Sequence, residues 1–103
     1  MIPSSTEFKQ ALKNRANSAL FNQDEITDEA LDMVCAETNE ECKGRDVKSW
    51  AMMDFAFIRL KIYLKIALSE EDIVLLKTAM SEIKSSTLSG QTKNSSSFIY
   101  KCI

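Results

Sequence analysis

The sequence predicts an all-α protein: a small bundle of about four helices over residues 1–86, then an extended C-terminal arm, 87–103, ending in a short β-type segment. Three observations predict it. The chain has 103 residues with two Gly and one Pro, and it is 45% hydrophobic and 27% charged, a composition that suits one helical core better than a sandwich or a disordered chain. Apolar residues recur at helical intervals in four stretches, most of them opened by a capping signal. From Ser85 the composition changes to "SSTLSGQTKNSSS" and then "FIYKCI".

The first element lies in "PSSTEFKQALKNRANSALF". Ser4 followed three residues later by Glu7 has the spacing of a capping box. Phe8, Leu12, Ala16 and Ala19 with Leu20 give the apolar stripe of a short amphipathic helix, and "NQDE" interrupts it.

The second, "ITDEALDMVCAETNEECKGR", has the clearest helix signal. Thr27 can cap it, Asp28 and Glu29 oppose the positive N-terminal end, and Ile26 with Leu31 has the spacing of a hydrophobic staple. Leu31, Val34, Cys35, Thr38 and Cys42 form the stripe to be buried, and Gly44 stands where a helix stops. Asp24, Asp28 and Asp32 align at i, i+4, but they lack the alternating acids and central Gly of a calcium loop. They read as the solvated start of a helix.

The third, "SWAMMDFAFIRLKIYLKIAL" over 49–68, is the longest apolar run. Its length approaches that of a bilayer span, but Asp54, Arg59, Lys61 and Lys65 lie within it, and each mid-helix charge costs roughly 2.5–3.5 kcal/mol on insertion. That argues against a span. The run is also internal, with no basic n-region and cleavage site at Met1, so no signal peptide is expected. On a helical wheel Asp54, Ile58, Lys61 and Lys65 fall in one narrow stripe, and nearly everything else is apolar. Such a helix must be covered around most of its girth, so it is expected at the centre of the core with some surface left for another chain. Arg59 is the anomaly, because it falls among Met52, Phe55, Ile62, Tyr63 and Ile66 and needs a carboxylate or a route to water. Either it snorkels to the core edge or it makes an ion pair with a neighbouring subunit or partner.

The fourth, "LSEEDIVLLKTAMSEIKSS", restarts with Ser69 and Asp72 at capping-box spacing, and Leu68 with Ile73 repeats the staple. Ile73, Leu76, Met80 and Ile83 give its apolar face. One bent helix over about 48–85 is an alternative, but a tight turn at Ser69 lets two helices fold back and bury both stripes.

The terminal "FIYKCI" has high β propensity and no sheet in its own chain to join. Phe98, Ile99, Tyr100, Lys101, Cys102 and Ile103 are therefore the candidate partner-binding residues, suited to adding an edge to another sheet or reaching a neighbouring subunit. The alternative is a tail that frays or tucks back on its own bundle.

Residues 1–46 carry ten acids and five bases, whereas 47–103 carry five acids and eight bases. No sequence-specific nucleic-acid binding follows from that balance, but head-to-tail contact between copies would suit it. Three cysteines without a secretory segment point to free thiols in a reducing compartment. Cys35 and Cys42 lie about 10 Å apart along one helix, too far to bridge, and read as small core residues. The chain has no histidine and no Cys pair close enough for zinc. No nucleophile-and-base set and no phosphate-cradling loop is present, so neither catalysis nor a cofactor is expected.

The order of these segments, a short N-terminal helix, "ITDEALDMVCAETNEECKGR", "DFAFIRLKIYLKIAL", "EEDIVLLKTAMSEI" and a Gly/Ser-containing arm, resembles the small helical head-tail connector (adaptor) proteins of tailed bacteriophages. The likeness covers roughly residues 22–103. It implies a structural virion protein of the phage neck, assembled in the host cytoplasm. The protein would form a homo-oligomeric ring, commonly of twelve copies, through which DNA passes. Its partners would be the portal protein and the next neck or tail protein, contacted by the arm at Phe98–Ile103. The reading from a different class is a small soluble regulator or inhibitor that binds one host or phage protein through an apolar helix face.

Overall fold

The computed structural model of the protein describes residues 2–19 and 26–86. Leu20, Asp24 and the arm at 87–103 lie outside the described residues. Four helices follow one another: α1 (Thr6–Ser18), α2 (Asp28–Cys42), α3 (Ser49–Tyr63) and α4 (Glu70–Ser85). The first three pack against one another, α3 packs against all of the others, and α4 rests chiefly on α3. No helix among the described residues is long and apolar enough to cross a membrane.

Helix α1 starts one residue later than the Ser4–Glu7 spacing suggests. Ser5 is the N-cap, and its hydroxyl accepts from the Phe8 amide. That places Phe8 at the third helical position, where a capping box would need Glu or Gln. Phe8, Leu12 and Ala16 are fully buried, while Ala19 is exposed. Helix α2 follows its signals closely. Thr27 accepts from the Ala30 amide, Ile26 and Leu31 are both buried, and the inward stripe is Leu31, Val34, Cys35, Thr38 and Cys42 together with Ala30. Thr38 is buried, and its hydroxyl donates to the Val34 carbonyl at 2.8 Å, which spares it the cost of an unpaired polar group.

After α2, Lys43 at φ −59° and ψ 131° and Gly44 at φ 75° form a type II turn, closed by the Arg45 amide donating to the Cys42 carbonyl at 3.0 Å. A positive φ at its third residue is the condition for which glycine is suited. Helix α3 then begins at Lys48 without a side-chain cap. Its start is set by packing, with Ala51, Met52, Phe55, Ala56, Phe57, Ile58 and Leu60 all buried.

The link between α3 and α4 differs from the tight turn expected at Ser69. Helix α3 ends at Tyr63, and the chain reverses at Leu64–Lys65, five to four residues before Ser69. The Ile66 amide donates to the Lys61 carbonyl at 2.8 Å and the Lys65 amide to the Ile62 carbonyl at 3.0 Å. These two bonds make a Schellman motif, in which Lys65 occupies the left-handed position at φ 62°. Ser69 still serves as the N-cap of α4, with a complete capping box to Asp72. On α4 the buried positions are Ala79 and Ile83, with Leu75, Leu76 and Met80 partly buried. Ile73 is 42% exposed, so the inward face is rotated away from the expected Ile73–Leu76–Met80–Ile83 stripe.

A left-handed backbone is costly for a residue with a Cβ and nearly free for glycine. The Lys65→Gly variant should therefore be more stable, by about 0.5–1 kcal/mol after the entropic cost of the added glycine, measured as a higher urea midpoint with an unchanged slope.

Candidate interaction surface

The polar stripe of α3 is covered by two helices. Asp54 receives the Arg15 guanidinium of α1 at 2.6 Å, with side-chain exposures of 16% and 31%. One turn further on, Phe57 is buried between two cations, the Arg15 guanidinium 4.3 Å and the Lys61 ammonium 5.2 Å from its ring centre. Lys61 in turn donates to both carboxylate oxygens of Asp72 on α4, at 3.1 and 2.9 Å. Ile58, in the same stripe, is fully buried. This polar stripe thus forms the electrostatic joints to α1 and α4, and of its four residues only Lys65, beyond the helix end, is exposed.

Asp72 has a second task. Its carboxylate accepts from the Ser69 amide at 3.0 Å, closing the capping box. The backbone hydrogen bond from Ser69, and then the Lys61 ammonium, hold its pKa below the ordinary carboxylate value. At the opposite end of α4, the Arg45 guanidinium donates to the carbonyls of Ile83, Lys84 and Ser86 at 3.3, 3.1 and 3.4 Å. It supplies donors to carbonyls that a helix end leaves without an intrahelical partner.

On the opposite flank of α3, a groove of about 270 Å³ opens between α2 and α4, lined by Glu37, Glu41, Phe55, Arg59, Leu76 and Met80. Here the structure places Arg59. Its terminal nitrogen meets Glu37 of α2 at 3.2 Å, while its Nε is buried without a hydrogen-bond partner. The guanidinium thus finds a carboxylate within its own chain and reaches water at the groove, with 37% of the side chain exposed. Outside the groove, large apolar side chains remain open to solvent: Ile62 and Tyr63 at the end of α3, Ile73 and Val74 on α4, and Trp50 at the start of α3.

Two cysteines and a lysine among the described residues are shifted by their surroundings. Burial pushes the Cys35 and Cys42 thiols up, away from the reactive thiolate. Lys9 bridges Asp28 and Asp32 at 3.7 and 2.9 Å, and its hydrogen bond to Asp32 raises its pKa. Among the described residues no three His, Cys, Asp or Glu side chains come together as a metal site. The arm residues Phe98–Ile103 lie outside the described residues. Sequence reasoning missed Arg15, Glu37 and Arg45, whose partners sit 22 to 41 residues away along the chain and leave no local spacing to read. Comparisons with protein-family models, curated proteins and solved structures find no match to this chain.

Because the pKa of Asp72 is lower in the folded chain than its ordinary 3.8, an unfolded chain binds the proton more readily. Its contribution to stability is complete above that ordinary value and is lost as pH falls through the lowered one. In acid titrations followed by helical circular dichroism, Asp72→Asn should be less stable than the parent at neutral pH. The difference should shrink as pH falls below about 4.

Proposed function

We propose that this protein is a non-enzymatic assembly component: a subunit of a homo-oligomeric ring in the neck of a tailed phage, joining the portal protein to the next neck or tail protein. The observation that carries an assembly role is the one-sided attachment of α4. This helix rests chiefly on α3, Ile73 and Val74 remain exposed on it, and the apolar end of α3 at Ile62 and Tyr63 is open as well. A small domain that leaves this much apolar surface open on neighbouring elements has the character of an interaction module. The specific identification as a connector rests on the order and character of the sequence segments. In this reading Phe98, Ile99, Tyr100, Lys101, Cys102 and Ile103 bind the partner, Arg59 is a charge at the interface, and the ring is carried in the virion after assembly in the host cytoplasm.

The test is affinity purification of the tagged full-length protein from its native source, followed by mass spectrometry. Portal and tail-completion proteins should co-purify, and removal of residues 96–103 should release them. A single host enzyme or regulator in their place would overturn the connector reading in favour of a small inhibitory protein. Arg59→Met should fold with stability within about 1 kcal/mol of the parent, since a half-exposed ion pair contributes little and the unpaired Nε is removed with it. The same variant should lose association if Arg59 faces a partner. Thermal melts read the first property and co-purification reads the second.

A further inference from the structure

The groove between α2 and α4 lies between two helices whose C-terminal ends are joined by one arginine. Arg45, three residues beyond α2, grips the carbonyls of Ile83, Lys84 and Ser86. The end of α2 and the end of α4, which supply Glu41 and Met80 to the groove walls, are thereby tied together, and the chain leaves Ser86 beside them. We propose that this groove receives the chain's own segment Phe98–Ile103, held in cis against Phe55, Leu76 and Met80.

Reach, charge and local concentration support that occupant. The eleven residues 87–97 between Ser86 and Phe98 can span up to roughly 36 Å when extended, whereas Met80 lies six residues, about 9 Å of helical rise, from Ser86. Residues 87–103 contain Lys93 and Lys101 and no acidic side chain, while the groove rim presents Glu37 and Glu41. Phe98, Ile99 and Tyr100 would supply the apolar side chains over the floor, with Lys101 and Cys102 at the rim beside the glutamates. A short covalent tether also holds its end near a site of the same molecule at an effective concentration in the millimolar range. A second copy cannot match that in dilute solution. The proposal concerns the free chain and does not rest on what the arm binds in an assembly.

Cys102 supplies the test in the full-length protein. A thiol introduced at the groove rim by Glu37→Cys is compared with one introduced by Lys84→Cys. Both positions are exposed, and Lys84 is much nearer to Cys102 along the chain, so a free tail would meet the Lys84→Cys thiol more often. Under mild oxidation of dilute protein, docking should reverse that order: Glu37→Cys should form its disulfide with Cys102 about ten-fold faster than Lys84→Cys. The product should run as a monomer on a non-reducing gel, with the pairing identified by peptide mass mapping. Adding Phe98→Ser to Glu37→Cys should remove the advantage. Equal rates, or faster closure at Lys84→Cys, would overturn the proposal. So would a disulfide-linked dimer, which would assign the groove to the arm of a second copy.

Discussion

Helix α3 carries apolar side chains around nearly its whole girth, and the fold is organised to keep them from water. A helix of this kind has no single inward face, so one neighbour cannot cover it. Helices α1, α2 and α4 each pack against it, and the seven buried residues between Ala51 and Leu60 form the common core. The absence of a side-chain cap at Lys48 is tolerable for the same reason: burial on several sides holds the first turn of α3 in place, where a more exposed helix would depend on its cap.

The polar residues of α3 then decide how its neighbours are fixed. A charge within an apolar helix is tolerated when it is paired, and α3 uses three such charges as joints: Asp54 to Arg15 of α1, Lys61 to Asp72 of α4 and Arg59 to Glu37 of α2. Phe57 lies between the first two, its ring faced by both cations. Each neighbouring helix is thus attached by apolar packing, which is weakly directional, and by one ion pair, which fixes register. The Asp72 joint also caps α4, so docking and initiation of that helix depend on one carboxylate.

The four helices were legible in the sequence because each announces itself locally. Thr27 before α2, Gly44 after it and the Ser69–Asp72 box before α4 are signals confined to a few residues, and the structure uses all three. Where the structure departs from such local signals, non-local or unfavoured geometry prevails. Lys65 takes a left-handed conformation in which glycine is the usual residue, so nothing in "YLKIAL" marks the end of α3. The polar stripe through Asp54 and Lys61 resembles a solvent face because its partners, Arg15 and Asp72, come from other helices. The inward face of α4 is set by how the helix rolls onto α3, leaving Ile73 outside, and hydrophobic spacing alone does not determine that roll. Of the candidate site, the sequence singled out Arg59 as anomalous, whereas its carboxylate neighbour and the groove around it became visible only in three dimensions.

The two ends of α4 have a consequence for the energy landscape of the molecule. Because α4 leans chiefly on one helix, it can detach while α1, α2 and α3 keep their mutual packing, which makes it a natural unit of sub-global opening. Its first turn is tied to Lys61 through Asp72, and its last is tied to the α2–α3 link through Arg45. Fraying from either terminus must therefore break a tertiary joint, and α4 is expected to open as a cooperative block, closer to a hinged panel than to a helix unravelling residue by residue.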